Sequence, residues 1–500
     1  MFLWMDDHLI FHALVSITAI AILFKLTRSK FCKLNLPPSP WGLPIIGNLH
    51  QLGSLPHHNL RSLAQKHGSL MLLHFGQVPT LIVSSADAAK EIFKTHDVNF
   101  LSRPKTKVGD MLFYSSTDVG LCPYGEYWRQ VRKIVVSELL SVQRTESFRS
   151  VRNQEVDLMI KRIEKYAPHI VDLSETLMWH MMDVTCGVAF GRKYLGDGCG
   201  RNFTKIVREG MHLVGTFNIG DFIPWLAWVN HLNGFYSMVE KNTKKLDSFL
   251  ESVIEDHNHH TSGEGVEDLV DVLLRIEKDG FINGVPFTRD NIKALLLDIF
   301  MAGTDSTSST MVWVMTELIR SPDILAKVQR EIRKIAKGKT YITEDDLEEM
   351  HYLRMAIKET LRLHPPAPIL VPRESEEPKK IFGYDIPAKT RVITNAWAIG
   401  RDPLLWDSPD KFLPERFANS CGNYRGVDFE YIPFGPGRRA CPGIAYSKPT
   451  MEFPLASLLF HFDWSFPEGT AAENMDVTEG FGLVAYKKVP LLLVPTLHSY

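Results

Sequence analysis

The sequence predicts a mainly α protein with small β-sheets, an α+β body organised around one unusually long central helix. Three observations carry this. Apolar residues recur at three-and-four spacing through 126–165, 174–190, 234–256 and 344–363, the period of helices with one buried face. Runs rich in β-formers are few and short, at 70–83 (LMLLHFGQVPTLIV), 380–393 and 482–495. Asp290 to Arg320 would form a helix of about 45 Å at 1.5 Å per residue, longer than a small domain is wide, so it must cross the interior.

The chain opens differently from its body. Leu9 to Phe24 is an apolar run preceded by Asp6 and Asp7 and followed by Lys25, Arg28, Lys30 and Lys33. Positive charge after the run rather than before it reads as a single-pass anchor over 1–30, with the body on the cytosolic side, and not as a cleaved signal. The sequon Asn202-Phe203-Thr204 is then expected to stay empty. Residues 31–48 form a basic and Pro-rich hinge, in which Pro37, Pro38, Pro40 and Pro44 fix φ and remove backbone donors.

Beyond the hinge, 49–500 shows no convincing internal boundary and no repeat, so it is read as one catalytic domain despite its length. With 45% hydrophobic and 23% charged residues it can build a large core. Lys and Arg number 56 against 58 Asp and Glu, which gives no bulk field to draw nucleic acid. The six cysteines, at 32, 122, 186, 199, 421 and 441, form no CxxC pair, which argues against a zinc cage or a disulfide framework. DHNHHTSGEG at 256–265 reads as an exposed loop with solvated histidines.

Within the long helix, Ile292, Leu295, Leu296, Leu297, Ile299, Phe300 and Met301 are apolar all round, as a helix buried on every side requires. AGTDSTSST at 302–310 then breaks that character. Ser and Thr can bond back to the carbonyl one turn earlier, Gly303 opens space, and a buried Asp305 is costly unless partnered or used. Either this is a wet, packed kink, or it is a groove where water or dioxygen meets a proton-relaying acid and alcohol.

FGPGRRACPG at 434–443 sets Cys441 in a loop of glycines and prolines beside Arg438 and Arg439, with a helix expected to start after Gly443. Backbone N–H groups, arginines and a helix N-terminus all favour a thiolate. A nucleophile would need a nearby base, and the sequence near this loop offers no histidine, the first to follow being His461. Zinc would need companion ligands. A haem iron needs one strong axial donor, which this loop offers.

The loop resembles the haem-binding signature FxxGxRxCxG of cytochromes P-450 at Phe434, Gly437, Arg439, Cys441 and Gly443. Glu359-Thr360-Leu361-Arg362 resembles the ExxR motif, FLPERF at 412–417 supplies Arg416, AGTDST at 302–307 resembles the oxygen-groove motif, and Trp128 with Arg132 resembles WxxxR. The likeness covers essentially the whole chain and is greatest to plant microsomal members.

The resemblance implies haem b on the Cys441 thiolate, with Trp128, Arg132, Arg373 and Arg439 bonding the propionates. It implies a structural network of Glu359, Arg362 and Arg416, and Asp305, Ser306 and Thr307 as the proton-handling groups. Ser306 stands where most relatives have threonine. By position, Phe113, Ala302, Thr304, Ile369, Leu370, Phe481 and Leu483 are expected to line an apolar pocket. The implied activity is a monooxygenase using O2 and electrons from NADPH, delivered by a cytochrome P-450 reductase at the endoplasmic reticulum membrane. Its substrate would be a small hydrophobic specialised metabolite such as a terpenoid, alkaloid or phenolic, and Arg129, Lys133, Arg438 and Lys448 would face the reductase. Ring closure, desaturation or coupling on the same fold, a reductase-independent isomerase or dehydratase, and a non-catalytic haem protein are the alternatives.

Overall fold

The computed structural model describes residues 34–191, 199–259, 267–418, 426–469 and 475–499. The proposed anchor and the basic start of the hinge lie outside these residues, and among the described residues no helix is long and apolar enough to cross a membrane.

The long helix forms as expected, over Arg289–Arg320, roughly 48 Å from end to end. Its start is fixed locally: the Asn291 amide oxygen accepts from the Thr288 N–H at 2.7 Å. Its end comes at Ser321, because Pro322 opens the next helix, Pro322–Ile335. It packs against Leu173–Phe190, His351–Leu363 and Ile444–His461, so most of its surface is covered.

Two apolar clusters meet its two halves. Leu295, Leu296 and Phe300 pack with Phe190 and Phe203 near its start, whereas Met311, Val314 and Leu318 pack with Leu361, Leu455 and Leu459 towards its end. Full burial of one such side chain contributes about 1.5–3 kcal/mol. The rings add directional contacts, with Phe190 stacked on Phe300 at 4.8 Å.

The β-rich runs make small sheets. Residues 70–83 fold into a hairpin, Leu70–Phe75 against Val78–Val83. Gly76 turns it at φ +60, and a side chain there would strike the Phe222 carbonyl at 2.4 Å. Val78–Val83 runs parallel to Arg391–Thr394, which pairs antiparallel with Arg373–Glu374. The 482–495 run contributes Ala485–Lys487, paired with Glu479–Phe481, and the start of Leu492–Leu497, paired with Phe462–Ser465 and Val171–Asp172.

Three expectations are corrected. The 126–165 pattern is not one helix but Glu126–Ile134, Val142–Ser147 and Arg149–Glu164, because a wide turn closed from Leu140 N–H to the Val135 carbonyl is followed by Ser141, whose hydroxyl caps the Arg144 N–H. Residues 344–363 likewise divide into a short 3-10 turn, Glu344–Glu349, and the helix His351–Leu363. His257 is not solvated: it is buried, and its ring bonds Asp268 at 2.9 Å and the Val253 carbonyl at 2.6 Å. Burial alone would lower its pKa, but those partners more than offset it and raise it.

Candidate haem and oxygen site

The Cys441 loop is shaped by its backbone. Cys441 N–H donates to the Phe434 carbonyl at 2.8 Å, tying the signature's two ends together, while Phe434 itself is half-buried. Gly437 sits at φ +72, and a side chain there would meet Asp97 at 2.7 Å, so its glycine serves the fold of the loop rather than access to the sulfur. Gly443 is the residue that serves the sulfur, through its N–H. Burial pushes the Cys441 thiol up, opposed by that N–H and by the charge of Arg132. The helix Ile444–His461 begins directly after it.

Four arginines surround this loop. Arg132 donates to the Ala440 carbonyl, Arg373 to Asp97 at 3.0 Å and to the Pro436 carbonyl, and Arg439 to the carbonyls of Leu101, Val119 and Cys122. Trp128 donates to the same Val119 carbonyl at 3.2 Å, with the Arg439 guanidinium 4.1 Å above its ring. The fourth is Arg103, which the motifs did not single out; it bonds the carbonyls of Gly120, Val371 and Pro372.

Burial lowers the pKa of all four arginines, Arg439 and Arg373 to about 10, and repulsion from the neighbouring guanidiniums adds to it at Arg103 and Arg439. Among the described residues, Asp97 is the one carboxylate within ion-pair distance of any of the four. Enclosed positive charge in this excess fits a dianionic ligand such as the two propionates of haem, and the half-buried Cys441 beside it fits the axial donor.

The central helix opens opposite its own buried surround. Its flanks are buried, yet Ala302 is exposed, Gly303, Asp305 and Ser306 are half-buried, and a side chain added at Gly303 would meet nothing within 4 Å. An accessible patch in the middle of an otherwise buried helix marks a recess beside it. Ser306 donates to the Ala302 carbonyl at 2.6 Å and Thr310 to the Ser306 carbonyl at 2.7 Å, the back-bonding its composition suggested, and the helix continues through it unbroken. The Asp305 carbonyl accepts from the Ser308 hydroxyl at 3.2 Å, but no described residue donates to its carboxylate. Burial raises its pKa, with Arg208 opposing. Thr307 is buried.

Glu359 lies at the centre of the ExxR network. It accepts from Arg362 Nε and Nη2 at 2.8 Å each, from Arg416 Nε at 2.9 Å and from the Leu413 N–H at 2.9 Å. Arg362 spends its remaining donors on the carbonyls of Gly400, Pro409 and Lys411.

The expected pocket residues divide. Ala302 lies in the opening of the helix, Leu370 is half-buried near Gly435 of the Cys441 loop, Ile369 is half-buried against the cluster of Phe75 and Ile82, and Phe481 and Leu483 sit on the 479–487 hairpin. Thr304 does not join them: it is buried, and its hydroxyl bonds that of Thr185 at 3.2 Å, facing the 173–190 helix. Phe113 is packed into the apolar core.

A further feature escaped sequence reasoning. Asp298, one turn before Ala302, accepts from the N–H groups of Val119 and Gly120 at 2.7 and 3.3 Å and shares a hydrogen bond with Asp118. Burial pushes Asp118 up to about 6 and Asp298 well above the carboxylate range.

The cytochrome P-450 family model matches residues 37–492. The chain belongs to the cytochrome P-450 family. A plant cytochrome P-450, 71A1 of Persea americana, is 50% identical over 460 residues, covering 90% of this chain and 91% of the relative. Premnaspirodiene oxygenase of Hyoscyamus muticus is 44% identical over 497 residues, covering 97% of this chain and 98% of the relative. A solved zebra fish cytochrome P-450 with abiraterone shares the fold at TM-score 0.77 and 22% identity, covering 90% of this chain and 100% of that one. As a cytochrome P-450, the protein is a haem monooxygenase, an oxidoreductase with cysteine thiolate ligation and electrons supplied by a reductase.

Proposed function

We propose that this cytochrome P-450 oxidises a small apolar specialised metabolite, terpenoid or alkaloid in class, with Cys441 as the axial ligand. The observation that carries the reading is a half-buried cysteine, Cys441, flanked by the Gly443 N–H and Arg132, in a chain whose buried central helix opens at Ala302–Ser306. A related plant enzyme is named for oxygenating premnaspirodiene, which supports an apolar substrate.

Haem bound here supplies oxygen activation. The chain's own residues do the rest. Arg132, Arg373 and Arg439 would hold the propionates, with Trp128 joining them if its N–H leaves the Val119 carbonyl and Arg103 adding positive charge. Asp305, whose pKa burial raises, is the acid on the cavity wall, and the Ser306 hydroxyl relays its proton while Thr307 lies buried behind them. Apolar side chains exclude bulk water from the reacting atoms. Arg129, Lys133, Arg438 and Lys448 are all exposed on the cysteine side and form the docking face for an acidic reductase.

We place the chain in the endoplasmic reticulum membrane, with residues 1–30 as anchor, 31–48 as hinge and 49–500 as one cytosolic catalytic domain. Exposed Phe217, Trp225, Trp228 and Leu232 support this. Their segment bonds the hairpin turn at Gln77, whose neighbour Gly76 bonds Ile46 beside the hinge, so these aromatic residues lie at the anchor's end of the molecule. The sequon does not test the compartment after all, since Phe203 and Thr204 are buried in the 199–215 helix and would block its use on either side.

The test is co-expression with a plant reductase and a reduced carbon monoxide difference spectrum for wild type and Cys441→Ser, followed by screening terpene and alkaloid libraries for products by mass spectrometry. Full turnover in Cys441→Ser overturns the ligand assignment. Trypsin added to intact microsomes should cleave the body; protection would reverse the topology.

A further inference from the structure

Glu479 gathers three imidazoles and is not used by any step above. Its Oε2 bonds His57 Nε2 at 2.7 Å and His58 Nε2 at 3.2 Å, both from the start of the Pro56–His67 helix. Its Oε1 bonds His364 Nδ1 at 3.3 Å, just past the end of the His351–Leu363 helix. The other nitrogen of His364 bonds Glu317 of the central helix at 3.0 Å, and its ring lies flat on Trp313 at 3.9 Å and 1°. One carboxylate thus joins three separate elements, with Arg401 adding positive charge nearby.

What Glu479 anchors is the hairpin 479–487. Two residues on, Phe481 stacks on the same His57 at 5.7 Å. The far side of the hairpin reaches the open face of the central helix, where Ser309, seven residues after Ala302 and so on the same face, donates to the Ala485 carbonyl at 3.0 Å. The Ala485 N–H donates to Pro366 at 2.8 Å, and the backbone of Leu483 presses on Gly215 so closely that a side chain there would meet it at 2.6 Å. The hairpin therefore closes one side of the cavity.

We propose that Glu479 is a positioning residue that pins this hairpin against the central helix and so sets the shape of the ligand cavity, its selectivity included. This rests on the cavity reading above. Burial would push the Glu479 carboxyl up, but the bonds from His364, His57 and His58 outweigh it and hold it well below the usual range, so the anchor stays charged. Direct contact at 2.7 Å leaves the pair hydrogen-bonded rather than spaced for an ion.

The test uses full-length haem-loaded enzyme, wild type against Glu479→Gln, with imidazole and phenylimidazole as probes of different bulk for the haem pocket. The expected result is unchanged haem loading, unchanged imidazole affinity and about tenfold weaker phenylimidazole binding, as the fraction of molecules with a correctly placed wall falls. Hydrogen exchange of the 479–487 amides should quicken by a similar factor while the Arg289–Arg320 amides hold. His58→Gln, which removes one exposed arm, should show the same pattern more weakly and covers the case in which Glu479→Gln folds poorly. Equal phenylimidazole affinity and hairpin exchange in both variants and wild type would overturn the proposal, as would a parallel loss of imidazole binding. Loosening of the wild-type hairpin by a chelator would overturn it in favour of a metal on His57, His58 and Glu479. A wild type without a haem-thiolate spectrum would sink the functional reading, leaving hairpin exchange to judge the clamp.

Discussion

Replacing Glu359 by glutamine keeps the side chain's volume and removes its charge from a fully buried site. Glu359 and Arg362 are both fully buried, so the Arg362 guanidinium would be left enclosed with carbonyl partners only. A glutamine oxygen can replace one carboxylate oxygen, but its amide N–H groups would point at the donors of Arg362 or Arg416. At least two charge-assisted bonds are lost, each worth about 1.5–3 kcal/mol. Removing one partner of a buried pair costs about 3–5 kcal/mol, which agrees. Against a total stability of about 5–15 kcal/mol, the variant should be near its limit. Urea unfolding of the haem-loaded enzyme, followed by the Soret band and tryptophan fluorescence together, measures this. Lys244→Ala, which breaks the exposed pair with Glu240, is the control and should cost less than about 1 kcal/mol. A Glu359→Gln enzyme within about 1 kcal/mol of wild type would refute the idea that the network depends on its charge.

Ser306→Ala should lower product formed per NADPH consumed several-fold while Ser306→Thr retains it; equal coupling in the alanine variant removes Ser306 from the relay. Gly437→Ala forces φ +72 on a side chain and crowds Asp97, the partner of Arg373, so haem content in purified protein should fall, at a conformational cost of about 1–2 kcal/mol. Asp118 is protonated in the folded chain up to about pH 6, whereas the unfolded carboxyl ionises near its ordinary value, so the native state binds the extra proton and loses stability as pH rises between the two. Urea midpoints at pH 4.5 and 6.5 should therefore move against wild type relative to Asp118→Asn, by on the order of 2 kcal/mol; a pH-independent difference would contradict the assignment.

Much of this fold was legible because burial imposes a period. The Arg289–Arg320 helix shows itself by apolar residues on every face, and the strands within 70–83 by a short run of β-formers, though not the turn at Gly76 that pairs them. The signature around Cys441 was legible because few other chemistries use one thiolate in such a loop. What stayed hidden were partners. Nothing periodic marks Arg103 as one of four enclosed guanidiniums, or Asp298 and Asp118 as a bonded pair 180 residues apart. Thr304 was misassigned because the groove motif names residues on both faces of a helix, and only packing against Thr185 decides which side each one takes. His257 looked solvated in a polar run, and Asp268, across residues 260–266, is what buries it.

Asp298 and Asp305 stand two helical turns apart on one side of the same rod, about 10 Å from each other. The first is stitched to the backbone at Val119 and Gly120, and Val119 in turn receives Trp128 and Arg439. A displacement of the rod at Asp298 would therefore be felt at the 119–120 strap, and through its Val119 carbonyl at Trp128 and Arg439.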